Sequence, residues 1–123
     1  MFSGCKNFNQ PLNSWNVSNV INMSEMFYNC KNFNQLLDKW DIRNVKHLRD
    51  IFKYTKVDLN FVRSWIPVKV DISELKETFG KNNLPLEWQV LKGLRSLTDL
   101  TKEEYKSLHP NCKNYLKQTI IDF

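Results

Sequence analysis

The amino-acid sequence predicts an α/β solenoid, in which short parallel strands and short helices stack in repeated units and a helical C-terminal cap covers one end. Residues 1–25 align with residues 26–50 without a gap, at 12 of 25 identical positions. Self-similarity at a fixed period is the signature of stacked repeats. Aromatic residues keep nearly the same period further along the chain, at Trp15, Trp40, Trp65 and Trp88 and at Phe2, Phe27, Phe52 and Phe79.

The first element of each unit is a predicted strand. The spacing L-x-x-W-x-V-x-x-V spans residues 12–20, and L-x-x-W-x-I-x-x-V spans residues 37–45. This spacing is close to that of leucine-rich repeats, in which the central alternating pair lies on a short strand. We therefore expect a strand near "SWNVS" in the first unit and a parallel one beside it in the second.

The second element of each unit is a predicted short helix. Val20, Met23, Phe27 and Cys30 are spaced by 3, 4 and 3 residues, which is typical of one face of a helix. The same pattern recurs in the second unit at Val45, Leu48 and Phe52, and in the third at Ile72, Leu75 and Phe79. The third occurrence comes two residues late, and we expect "IPVKV" at residues 66–70 to bulge outward and take up the difference.

The repetition has a physical reason. One short unit cannot bury its own apolar face, so it must lie on a near-copy of itself. Phe8 is then expected to stack on Phe33, Trp15 on Trp40 and Cys5 on Cys30, with the tryptophans in the core. The two cysteines are close enough in this arrangement for a disulfide, but two buried thiols are the favoured interpretation.

The pattern "MF..C..FNQPLN.WNVSNV.NMS.MF..C..FNQ" resembles the BspA-like, mycoplasma-type surface-protein repeat, a relative of leucine-rich repeats with about 25 residues per unit. The likeness is strongest over residues 1–50, extends to Phe79 and ends near Val90. It implies a leucine-rich-repeat-like solenoid and roles in adhesion or in binding other proteins. It offers no catalytic residues. Members occur in bacterial surface lipoproteins and in some large DNA viruses.

The chain is predicted to divide into a repeat solenoid at residues 1–88 and a helical C-terminal cap at residues 89–123. The units lie at about 1–25, 26–50 and 51–77, with a shortened unit at 78–88. In the cap, Thr101 and Glu104 form a capping box that starts a helix ending near Leu108. Asn111 is expected to cap a last helix. A separate effector function of this segment is the alternative.

Composition and charge argue against nucleic-acid binding, a metal site and an enzymatic function. The net charge of +5 is spread along the chain without a Lys/Arg cluster, so a nucleic-acid partner is not expected. The three cysteines lack C-x-x-C spacing, and His47 and His109 lack neighbouring ligands, so no metal or other cofactor is expected. No nucleophile–base pair is visible, which excludes a catalytic site and predicts that the protein is not an enzyme.

The sequence also bears on location. No run of 18 apolar residues is present, so no membrane span is expected. A signal peptide is not visible at the start. The protein is therefore expected to be intracellular unless its N-terminus is missing.

The predicted binding surface is the outward face of the repeat sheet, because polar residues alternate there with inward apolar ones. It comprises Asn16, Ser18, Lys39, Asp41, Arg43 and Ser64. The expected function is a non-enzymatic protein–protein interaction module. The alternative is a degenerate or fragmentary structural member of an expanded repeat family, adhesin-like or from a large DNA virus, without a partner of its own. Self-association through the N-terminal coil is also expected, through Phe8, Leu12 and Trp15.

Overall fold

The structure is a computed structural model that describes the backbone of residues 2–121 and the side chains of residues 2–118. It contains four α-helices, α1 (Ile72–Phe79), α2 (Leu86–Leu91), α3 (Lys102–Ser107) and α4 (Pro110–Ile121), and two 3₁₀ turns at Leu59–Phe61 and Leu97–Asp99. Residues 2–58 are built from turns. A single isolated parallel bridge joins Asn22 to His47.

The predicted α/β solenoid is wrong, because the described residues 2–121 form no β-strand and no sheet. The backbone N–H groups at the expected strands are used in local turns instead. Trp15 N–H donates to the carbonyl of Leu12, and Val20 N–H donates to the carbonyl of Val17, each at 3.0 Å. Apolar residues three positions apart therefore mark the two ends of one turn. The alternation of Trp15 and Val17 spans the boundary between two turns rather than a strand.

The helices expected in the first two units are wrong for a related reason. Glu25 and Asn29 have positive φ angles of 58° and 59°, and Asp50 and Tyr54 follow in the second unit with 54° and 63°. Left-handed residues cannot continue a right-handed helix. The 3-4-3 spacing therefore marks the inward side of successive turns.

The repeat units nevertheless stack on one another. Four backbone N–H groups each donate to a backbone carbonyl of the next unit, 24 residues later, at 2.7–3.1 Å: Met23 to His47, Glu25 to Arg49, Phe27 to Ile51 and Asn29 to Lys53. The predicted stacking of Phe8 on Phe33 is confirmed, with ring centroids 5.7 Å apart and planes 12° from parallel.

The tryptophans occupy the core except at the first unit. Trp40, Trp65 and Trp88 are buried. The indole N–H groups of Trp40 and Trp65 donate to the carbonyls of Leu12 and Leu37, each in the preceding unit. Trp15 is 43% exposed, so its assignment to the core is wrong.

The cysteines are all free thiols. Cys30 is buried as expected and donates to the carbonyl of Phe2 at 2.8 Å. Cys5 is exposed, so the expected pair of buried thiols is confirmed only for Cys30.

The third unit does contain the predicted helix, α1. The side chain of Asp71 caps it by accepting from Ser73 N–H, and Gly80 ends it with a φ of 90°. Before α1 the 25-residue period still holds, because the ammonium group of Lys69 donates to the side chain of Asn44, 25 residues earlier. At the end of α1 the period has become 27 residues, because Phe79 packs on Phe52. The two additional residues thus lie in α1, not in a bulge at 66–70, because a helix rising about 1.5 Å per residue needs more residues to cover the same path.

The C-terminal segment folds largely as predicted. Thr101 and Glu104 form the capping box of α3, with both reciprocal hydrogen bonds present. Asn111, the expected cap of the last helix, lies instead inside the first turn of α4, which begins at Pro110. The side chain of His109 provides the cap by accepting from the Asn111 backbone N–H at 3.1 Å. α4 packs on α2, which contains the buried Trp88.

Candidate functional site

A groove of about 540 Å³ lies between the second and third repeats and α4. Its repeat side includes four of the six residues predicted to bind a partner: Lys39, Asp41 and Arg43, which are exposed, and Ser64, which is buried. Its other side is formed by residues of the C-terminal segment, the predicted helical cap. We refer to this cavity as the α4 groove.

The floor of the α4 groove is apolar and rigid. Trp40, Ile42 and Ile66 line it and are 3%, 1% and 8% exposed. The Trp40 ring is parallel to that of Trp65, 6.2 Å away, and its N–H is fixed on the carbonyl of Leu12.

An ion pair forms one rim. The Arg43 guanidinium donates to both carboxylate oxygens of Asp41, at 3.1 and 3.2 Å, and the Arg43 backbone N–H donates to the same carboxylate at 3.1 Å. These hydrogen bonds hold the pKa of Asp41 below its usual value and raise the pKa of Arg43. Both side chains stay charged at neutral pH and about half exposed, so they can contact a ligand.

The other predicted surface residues have different surroundings. Ser64 lines the groove but is buried, and its hydroxyl donates to the carbonyl of Asp38 at 2.8 Å. Asn16 and Ser18 lie in the first unit, outside the groove lining, where the Ser18 hydroxyl donates to the Asn16 side chain at 2.6 Å. This is the same turn position that Asp41 and Arg43 occupy one repeat later.

The opposite wall is a polar face of α4, which sequence reasoning missed. Asn111, Asn114, Tyr115 and Gln118 line the groove. Their spacing of 3, 1 and 3 positions places them on one helical face, and this pattern is a signal present in the sequence. The Asn111 amide also donates to the carbonyl of Ser64 at 3.3 Å, which joins the wall to the repeats.

A buried carboxylate positions α4. Glu87 on α2 is 3% exposed and accepts from the Arg63 guanidinium and from His109 N–H, each at 2.9 Å. Arg63 also donates to the carbonyl of Ser107, at the end of α3. One side chain therefore links the third repeat, α2 and the start of α4, so the width of the groove is set by the fold.

Comparison with known proteins bears on the repeats. The family described as "Mycoplasma protein of unknown function, DUF285" matches residues 1–83. The chain belongs to this family. The match covers the stacked units and α1, and it confirms the mycoplasma-type repeat that the sequence resembles. No curated protein and no solved structure matches the chain.

The α4 groove thus combines DUF285 repeats on one side with a helix beyond the matched residues on the other. Cys112, the thiol nearest to this wall in sequence, is buried, and burial raises its pKa to about 11, so it stays protonated at neutral pH. Within the residues that the structure describes, no group of three or more His, Cys, Asp or Glu side chains is placed to hold a metal ion.

The helices of this DUF285 protein are short. Over the described part of the chain, none is long and apolar enough to cross a membrane.

Proposed function

We propose that this DUF285 protein is a non-enzymatic protein-binding module and that its α4 groove takes a short segment of a partner protein. The observation that carries the proposal is a concave groove in which an exposed ion pair faces a helical wall of amides above buried apolar residues. Binding sites for small ligands and peptide segments are concave, largely apolar and furnished with a few polar groups that fix orientation. The volume of about 540 Å³ lies within the usual range of such sites.

The groups of the groove suit an extended peptide. The amides of Asn114 and Gln118 can each donate and accept hydrogen bonds, as peptide N–H and C=O groups require. The exposed edge of Ile66 offers a small apolar contact, and the Asp41–Arg43 pair can contact polar residues of the peptide. The BspA-like likeness, which implies adhesion or binding of other proteins, supports the same function.

The proposal is tested by selecting a random peptide library against the folded protein. The groove variant combines Asp41→Arg with Arg43→Asp, which keeps an ion pair but reverses its polarity. The control combines Lys102→Glu with Glu103→Lys on α3, both exposed and outside the groove. We expect selected peptides to bind the wild type and the control equally, and the groove variant at least about tenfold more weakly.

A second variant, Asn114→Trp, fills the groove from the α4 side without touching the ion pair and should also abolish binding. Asn114→Trp should melt within a few degrees of the wild type, since exposed substitutions change stability by about 0.5 kcal/mol. The Asp41→Arg, Arg43→Asp variant also loses the acceptor of the Arg43 backbone N–H, which costs about 0.5–1.5 kcal/mol, and should remain folded. If no peptide is enriched, or if enriched peptides bind the groove variants as well as the wild type, the module proposal fails. The alternative of a structural family member without its own partner would then stand.

A further inference from the structure

Four lysines recur at the repeat period. Lys6, Lys31, Lys56 and Lys81 are evenly spaced along the sequence, one in each unit. The first three each directly follow the residue at one equivalent turn position, Cys5, Cys30 and Thr55, whereas Lys81 follows Gly80 beyond α1, where the register has shifted by two residues. Because the units stack, residues that share a turn position lie above one another. We call these four residues the lysine column.

Contacts between neighbouring units support this register. Asn32, next to Lys31, donates through its backbone N–H to the carbonyl of Lys6 at 3.3 Å. The backbone N–H of Lys56 donates to the carbonyl of Phe33, two residues after Lys31, at 3.1 Å. Asp58 and Asn83, each two residues beyond a column lysine, line one surface depression. The column thus runs along the stack, one lysine per unit.

The charges of the lysine column are not neutralised by neighbours. All four side chains are exposed, and none takes part in a salt bridge within residues 2–118, where arginine and His47 make all the ion pairs. Between the start of the chain and Leu37, Glu25 is the single acidic residue. Asp58 lies two residues beyond Lys56, so the surface is poor in carboxylates only along the first part of the column. A row of unpaired positive charge attracts a linear polyanion, most strongly along that part.

Tyrosines lie beside the column. Tyr54, two residues before Lys56, is 60% exposed. Tyr28, three residues before Lys31, contacts Tyr54 edge to face, with centroids 5.8 Å apart. The Lys53 ammonium lies 5.5 Å from the centre of the Tyr54 ring, which adds a fifth positive charge at this place.

We propose that the lysine column with Tyr54 binds single-stranded nucleic acid. Proteins that bind single strands without sequence preference combine a positive track for the phosphates with exposed aromatic rings on which bases stack. An acidic peptide would use the lysines but would gain nothing from the ring. The four lysines are 25 residues apart in the sequence, so they form no local cluster. The absence of such a cluster is the reason for expecting no nucleic-acid partner. The site is separate from the α4 groove and does not depend on it.

The test is binding of the whole chain to a fluorescein-labelled oligothymidylate of about 20 nucleotides, followed by anisotropy at several salt concentrations. Four phosphate contacts predict a slope of about −2.8 for log K against log[salt], equivalent to about a 50-fold loss between roughly 50 and 200 mM salt. Lys31→Gln with Lys56→Gln should reduce the slope by about 1.4. Lys31→Arg with Lys56→Arg, which keeps the charge, should restore it.

The matched control is Lys102→Gln with Lys106→Gln, which removes two exposed lysines of α3 and should leave the slope unchanged. Tyr54→Asn tests stacking, since Asn29 occupies the equivalent left-handed position one unit earlier and an asparagine is tolerated there. It should weaken binding about fivefold or more. Equal effects of the α3 and column variants, no effect of Tyr54→Asn, or tighter binding of a poly-glutamate peptide of equal charge would overturn the proposal.

Discussion

The carboxylate of Glu74 accepts a hydrogen bond from the backbone N–H of Leu48 at 3.2 Å, in the buried layer between the second and third units. At the equivalent place one unit earlier, the N–H of Met23 donates to a backbone carbonyl, that of His47. A side chain therefore replaces a main-chain acceptor where the turns give way to α1.

The replacement follows from the helix itself. Inside a helix the carbonyls accept from N–H groups four residues later, so they cannot serve the preceding unit. Thr78 acts in the same way as Glu74, with its hydroxyl accepting from Asp50 N–H at 3.2 Å. Two polar side chains of α1 thus satisfy backbone donors that the change of secondary structure would leave unpaired.

Removing this acceptor should destabilise the protein. Glu74→Ala leaves the Leu48 N–H buried without a partner, which costs about 1–3 kcal/mol. Glu74→Gln keeps an acceptor oxygen and should cost less. Urea denaturation measures both changes. Glu77→Ala, an exposed position on the same helix, is the control, and an equal loss in Glu77→Ala and Glu74→Ala would contradict the role of this hydrogen bond.

The tryptophans offer a second comparison within one protein. Trp40→Ala removes a side chain that is 3% exposed and should reduce the free energy of unfolding by about 3–5 kcal/mol. Trp15→Ala removes the equivalent side chain of the first unit, which is 43% exposed, and should cost about 1 kcal/mol. Similar urea midpoints for the two variants would show that the first unit buries Trp15 as deeply as the second buries Trp40.

The stacking of the units could be predicted from the sequence, but their backbone could not. Phe8 and Phe33 lie one repeat apart and stack, as the repeat period requires. The spacing of Leu12 and Trp15, however, fits a turn closed by a hydrogen bond between residues three apart as well as it fits the spacing of a strand-and-helix repeat. The left-handed conformation of residues such as Glu25 and Tyr54 makes these units turns rather than helices. Neither residue type favours that conformation, so the sequence does not predict it.

Half of the candidate site could be predicted. Asp41 and Arg43 are polar residues that alternate with buried ones, so their exposure follows from the local pattern. The wall supplied by α4 depends on contacts such as that between Asn111 and Ser64, which lie far apart in the chain. A helical face can be predicted from the sequence, but the partner against which it packs is set by the tertiary fold.

Glu87 should control the position of α4. Glu87→Ala removes the acceptor of both Arg63 and His109 N–H, so the start of α4 loses its link to the third repeat. Hydrogen exchange of α4 amides, such as that of Lys113, should accelerate about tenfold or more, because a lost buried hydrogen bond costs about 1–3 kcal/mol. Glu103→Ala on the exposed side of α3 should leave these rates unchanged. Unaltered exchange in Glu87→Ala would show that packing alone holds α4.

The buried thiol of Cys112 should make stability depend on alkaline pH. Its pKa in the folded protein is raised by burial from 9.0 to about 11. Between pH 9 and pH 11 the unfolded chain releases the thiol proton while the folded protein keeps it. The free energy of unfolding is therefore unaffected by this group below pH 9, and it falls by up to about 2 kcal/mol as the pH rises toward 11. Cys112→Ala should show a flatter decline in urea denaturation across this window, and Cys5→Ala, at an exposed thiol, should decline like the wild type.

The first unit leaves an apolar surface in contact with solvent. Trp15 and Ile21 are 43% and 55% exposed, Phe8 is half-buried, and Leu12 is buried, so three of these four side chains can contact another molecule. Within the described residues the Trp15 indole N–H makes no hydrogen bond, whereas that of Trp40 donates to the preceding unit. Phe8 and Trp15 lie together against the ring of Phe2, with centroids 4.3 and 5.9 Å from it, and exposed apolar side chains that lie together favour association with a second copy.

Self-association through this surface should respond to its two most exposed members. We expect sedimentation velocity of the wild type to show mass that rises with concentration, and Trp15→Ser with Ile21→Ser to suppress this rise while the melting temperature changes little. Leu36→Ser with Leu94→Ser removes two exposed leucines elsewhere and serves as the control. A wild type that stays monomeric at high concentration, or equal suppression by the control, would show that this surface does not drive self-association.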